Sequence, residues 1–242
     1  MHRALTHFVL APSDLITALL LIFVSSSAWL LALPWLCRFW QTVMQIGIRI
    51  LALDANLETS AHHVGRYLRF AIPYPTLQTN APEPTTWWLS TIAVGLIFAA
   101  TYLFPRGFTP VSYLIRAALF VQATALVYFL LIPAAFPHTP SSYMEGLVSA
   151  RISLISILPM LFGLTFYIFQ FSLTRKIVLT AITMAYLSLC LPIETLLQAL
   201  VLQKSVLFMP VLYIMFGIPV DIMIVLAFYS WGMSWPLASD SA

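Results

Sequence analysis

From Leu15 to Cys37 the chain contains no Asp, Glu, Lys or Arg, and five more long apolar runs follow, each with at most one charged residue. An α-helix that crosses a ~30 Å hydrocarbon core needs about 20 such residues. Inside that core every backbone polar group must be satisfied within the segment or by a closed sheet. A barrel would show apolar and polar residues alternating with a period of two, and these runs do not. The sequence therefore predicts an all-α, polytopic transmembrane bundle.

Composition agrees. Of the 242 residues, 61% are hydrophobic and 8% charged, against roughly 45–50% and about 25% in soluble proteins. A soluble chain of this length lacks the charge to cover its surface. The net charge of +3 is scattered along the sequence, so nucleic acid is not an expected partner. Membrane lipids are, together with other membrane subunits or a second copy of the chain.

Six spans are expected, at about 15–36, 87–104, 116–133, 152–174, 177–201 and 206–231. The first is too long for the ~7–15-residue apolar core of a signal peptide and is read as a retained helix. Trp87 and Trp88 open the second span, and Trp231 and Trp235 close the last, at depths where amphipathic rings prefer to sit. Thr174, Arg175 and Lys176 are expected to turn the chain between spans four and five.

The segment 38–86 is the only long connection. Arg38, Gln41, Thr42, Gln45 and Arg49 recur at steps of three and four, with Phe39, Trp40, Val43, Met44, Ile46, Ile50 and Leu51 covering the remainder. That pattern predicts an amphipathic helix over 38–54 lying in the membrane interface, or entering the bundle. A second short helix is expected over 59–70, carrying His62, His63, Arg66 and Arg69, and then an extended linker through Pro73, Pro75, Pro82 and Pro84. Arg38, Arg49, His62, His63, Arg66 and Arg69 form a candidate interfacial contact for lipid headgroups or a partner.

Ionisable residues within spans are costly, at least ~2.5–3.5 kcal/mol on insertion scales. Asp221 follows Gly217 and Pro219 in the last span, and Glu194 follows Pro192 in the fifth. A broken helix beside an acid is an arrangement found at ion and proton sites of transporters. The same acids can instead pair with a neighbouring helix, and Arg151 or Lys204 are the available cations for Glu194. Glu145 and Arg151, six positions apart, bracket the start of span four. Gln122, Thr124, Tyr128, Ser153, Ser156 and Gln170 are read as an interhelical polar seam.

No metal or cofactor site is expected. Cys37 and Cys190 lie far apart with no ligand-like spacing, and neither HExxH nor a phosphate-cradling glycine loop occurs. The leading expectation for function is a non-catalytic integral membrane subunit, a scaffold or assembly factor of a larger membrane or envelope complex. Two alternatives stand beside it. One is a transporter or channel component for a small solute, lipid or glycan, using Asp221 and Glu194. The other is a membrane enzyme acting on a lipid-linked substrate, using the interfacial histidines and arginines. The expected location is a bacterial inner membrane, with both termini cytoplasmic.

Overall fold

The computed structural model describes residues 12–64, 68–78, 82–132, 136–166 and 173–235. Six helical segments in it are long and apolar enough to cross a bilayer. The protein is an integral, multi-pass, all-α membrane bundle.

Helix α1 (Pro12–Ile50) is a single rod of 39 residues, about 58 Å long at ~1.5 Å per residue. The expected amphipathic segment 38–54 is helical up to Ile50, but it is not a separate helix lying across the interface. It prolongs the first span without a break. The reason lies in its apolar face: Trp29, Leu33, Cys37, Trp40 and Met44 recur at steps of four and three and are all buried, so one continuous stripe packs into the bundle. Arg38, Thr42, Gln45 and Arg49 stay exposed on the rest of the surface.

A two-stranded antiparallel hairpin follows, β1 (Ala55–Val64) and β2 (Leu68–Leu77), in register from Ala55 opposite Leu77 to Val64 opposite Leu68. This corrects the helix expected over 59–70 and the linker expected at Pro73 and Pro75. Both prolines lie in β2, opposite Thr59 and Leu57. Two positions apart, they share one edge of the strand, and a proline is tolerated where that edge needs no N–H from it. The hairpin does not stand free, because β2 lies against α1 and α4 and buries Ile72 and Leu77. The Ser141 hydroxyl at the start of α4 donates to the Leu77 carbonyl at 3.5 Å.

The remaining elements are α2 (Pro84–Ala100), α3 (Thr109–Leu131), α4 (Pro140–Phe166), α5 (Leu173–Lys204), α6 (Met209–Phe216) and α7 (Ile218–Met233). Pro84 and Pro140 open α2 and α4 from first helical positions, where the missing N–H has no helical partner to lose. Span four thus begins earlier than expected, and Glu145 and Arg151 are both interior to α4. Arg175 and Lys176, expected in a turn, are inside α5. The sixth span is split into α6 and α7 at Gly217.

Helices α1, α4 and α5 pack mutually, while α2 and α3 form a pair that joins them through α6. Gln122 and Ser156 accordingly do not share a seam. The Gln122 amide donates to the Leu207 carbonyl at 3.3 Å, and Ser156 accepts the Trp29 indole N–H at 2.8 Å. Thr124 and Ser153 bond back within their own helices, and Gln170 lies outside the described residues. Arg116, set within α3, turns back to the end of α2. It donates to the Thr101 hydroxyl at 2.8 Å and covers the Tyr102 ring at 4.4 Å.

Candidate functional site

Two prolines and one glycine shape the interior. Pro192 has no N–H, so the carbonyl four residues back in α5, Ser188, loses its helical donor. The Trp40 indole N–H reaches that carbonyl from α1 at 2.7 Å, with Trp40 fully buried. The bend-prone point of α5 is thereby satisfied by a side chain from another span.

Gly217 interrupts the sixth span in a similar way. A Cβ there would lie 2.6 Å from the backbone oxygen of Tyr213, so only glycine fits the close turn between α6 and α7. The break frees the Phe216 carbonyl, which accepts from the Gln198 amide at 2.6 Å and from an Arg151 terminal nitrogen at 3.5 Å. Pro219, in the first turn of α7, gives up a donor where the helix has no use for one.

Around this break three helices place charge. Arg151 of α4 is 2% exposed and contacts Glu194 Oε2 of α5 at 2.5 Å and Asp221 Oδ2 of α7 at 3.0 Å. The Nε of Arg151 donates to Asp221, and one terminal nitrogen serves Glu194 and Phe216 together. Its other terminal nitrogen, Nη1, has no hydrogen-bond partner among the described residues. Tyr143, eight residues before Arg151 and so on the same side of α4, donates its hydroxyl to the Gln198 Oε1. Glu194 and Gln198 are neighbours on α5 by the four-residue step.

Arg151 lies roughly 16 Å from the start of α4 and Glu194 roughly 15 Å from the end of α5, at ~1.5 Å per residue, so both are set inside long apolar helices rather than at their ends. The acids tolerate this setting because each faces the guanidinium, and Asp221 also sits in the first turn of α7, where the helix dipole favours a negative charge. One guanidinium thus serves two carboxyl groups.

Beside the triad a cavity of about 480 Å³ lies between α5 and the α6–α7 break. Glu194 and Gln198 are its polar members, and the rest of the wall is apolar, including Leu197, Val201, Val211, Leu212 and Phe216. Leu197 and Phe216 of this wall are also exposed on the protein surface, so the cavity is open rather than sealed inside the bundle.

No family model matches the chain, and no curated protein or solved structure is significantly similar to it.

The two intramembrane acids singled out in the sequence thus meet on one arginine. Lys204, the other cation considered for Glu194, is exposed at the end of α5. The interfacial set is not brought together with them. Arg38 and Arg49 are exposed on α1, and Arg69 is exposed on β2. His62 and His63 lie in β1 opposite Phe70 and Arg69, and Arg66 lies outside the described residues. Among the described residues no three His, Cys, Asp or Glu side chains converge on a metal-sized position. Tyr143, Gln198 and Trp40 were not anticipated as site residues. The spacings 143–151 and 194–198 are the signals that would have found the first two.

Proposed function

We propose that the protein is a non-catalytic membrane component that carries or conducts a small solute or lipid through the cavity beside Glu194. The observation that supports this reading is the juxtaposition of a broken sixth span, an ion triad inside the bundle and a largely apolar cavity beside it. Half-helices joined at an irregular point supply backbone polar groups at a binding site in other transporters. Here the break at Gly217 leaves the Phe216 carbonyl to Gln198 and Arg151 and sets the α7 N-terminus beside Asp221. Six spans suit a carrier built from two copies.

The test is uptake into proteoliposomes of a panel of cationic, neutral and anionic lipophilic solutes. The expected result is that the wild type moves at least one of them, while Asp221→Asn and Glu194→Gln variants of normal melting behaviour do not. Failure to move any solute, or equal uptake by the variants, contradicts the reading.

A second reading, a scaffold or assembly subunit of a larger membrane complex, draws on the triad itself. Arg151, Glu194 and Asp221 tie three spans together, which is what a rigid platform requires. A stoichiometric membrane partner retained in mild detergent, with no solute uptake, favours it.

We further propose a bacterial inner membrane with both termini in the cytoplasm. A helical bundle suits that membrane, whereas outer membranes hold barrels. Arg151 and Lys176 are buried and drop out of the loop charges. With the long 38–86 segment set aside as well, Arg3, Arg106, Arg116 and Arg175 mark the N-terminal side, against Lys204 on the other. Positive residues concentrate on the cytoplasmic side of such proteins.

A further inference from the structure

We infer that the cavity between α5 and the α6–α7 break binds a lipophilic organic cation, with its positive centre against Glu194. The inference rests on the carrier reading above and gives it a ligand class.

Four observations carry it. First, Glu194 is the only charged residue among the described residues of the wall, and its side chain is 24% exposed while Oε2 is held by Arg151. Second, nothing in the wall is built for an anion. Arg151 is not part of it, and the Gln198 amide is engaged at both ends, by the Tyr143 hydroxyl and the Phe216 carbonyl. Third, the Arg151–Glu194–Asp221 group has two carboxyl groups for one guanidinium, and charge between apolar walls acts more strongly than it does in water. Fourth, Leu197 and Phe216 of the wall are exposed on the surface of spanning helices, a route that suits a ligand dissolved in the bilayer.

The volume of about 480 Å³ falls within the ~300–1,000 Å³ range of sites for small organic molecules. A charged head without an apolar body would leave most of the wall unfilled. An apolar body without a cation would leave Glu194 desolvated and half-paired. The chemistry required is therefore a cationic centre carried on a hydrophobic frame. A free amphiphilic amine and the ammonium headgroup of a phospholipid both supply it.

The experiment is equilibrium binding of tetraphenylphosphonium to the purified full chain in a nonionic detergent, with tetraphenylborate as the anion of matched shape. The expected result is one saturable site for the cation and none for the anion. Affinity should fall by about ten-fold or more, a difference of ~1.4 kcal/mol, in Glu194→Gln and in Val211→Trp, which fills the cavity without touching the triad. Equal binding of the two ions, or a Val211→Trp variant that binds normally, overturns the proposal. Should Glu194→Gln not fold, the ion pair of probes and Val211→Trp still decide it.

Native mass spectrometry separates the two sources. A retained amine-headgroup phospholipid displaced by tetraphenylphosphonium assigns the site to a lipid, and cation binding to a lipid-free protein assigns it to a free solute. Saturable cation binding without uptake into proteoliposomes keeps the site and removes the carrier reading. Uptake that ignores ligand charge does the reverse.

Discussion

The indole N–H of Trp40 takes over, at Ser188, the hydrogen bond that Pro192 cannot make. It does so across two spans that are far apart in sequence, at 2.7 Å and away from solvent. A proline in a transmembrane helix is tolerated when neighbouring helices re-satisfy the carbonyl it frees, and here the compensating group can be named. The same logic operates at Gly217, where Gln198 and Arg151 take the freed Phe216 carbonyl. Backbone irregularities in α5 and in the sixth span are thus what draw the polar side chains inward.

Trp40→Phe should lower stability through lost packing and through the orphaned Ser188 carbonyl. In a Pro192→Ala background the helix regains its own donor, so the same substitution should cost about 1 kcal/mol less, the worth of a typical hydrogen bond. A double-mutant cycle on chemical or thermal unfolding measures this. Purely additive effects would show that the indole contributes only its volume.

Gly217→Ala should destabilise the protein by about 1–3 kcal/mol, as overpacking does in cores, because the added methyl meets the Tyr213 backbone oxygen, which cannot swing aside. Gly146→Ala is the control. It lies inside α4 with nothing within 4 Å of an added Cβ, and it should gain about 0.5–1 kcal/mol. Comparison of the two melting curves checks both.

Ala61 and Ala71 are partners across the hairpin. In a background without the native cysteines, Ala61→Cys with Ala71→Cys should oxidise readily, since paired strand positions fall within disulfide reach. A helix over the same residues would hold them roughly 15 Å apart along its axis. A mass shift on oxidation distinguishes the two, and no cross-link would argue against the hairpin.

The six spans were legible because ionised side chains are excluded from hydrocarbon, and that exclusion is visible without knowing what packs on what. The hairpin was not. Pro73 and Pro75 signal a linker by local rules, and they become strand residues only because they share an edge of β2 that faces away from its partner. The length of α1 was hidden by its second half, whose exposed Arg38, Gln45 and Arg49 resemble an interfacial helix. The buried stripe Trp29–Leu33–Cys37–Trp40–Met44 runs through both halves and shows that they are one.

Of the candidate site, the acids were readable by their cost in the membrane. Their common partner was less so. Arg151 looked like an interfacial residue while span four was expected to begin at 152, and it became interior once Pro140 started the helix. Tyr143 and Gln198 carry no charge, so hydropathy gave no sign of them. Only the three-dimensional meeting of α4, α5 and α6 at Phe216 gives them a role.

The central claim is that Arg151, Glu194 and Asp221 act as one unit holding α4, α5 and the broken sixth span together. It is tested most directly by thermal unfolding in nonionic detergent of Arg151→Met alone and of Arg151→Met combined with Glu194→Gln and Asp221→Asn. Removing the arginine alone strands the buried Asp221 and the half-buried Glu194 and should cost about 3–5 kcal/mol. Neutralising the acids as well should restore most of that loss. An Arg151→Met protein as stable as the wild type, or a triple variant no better than the single, would contradict the account.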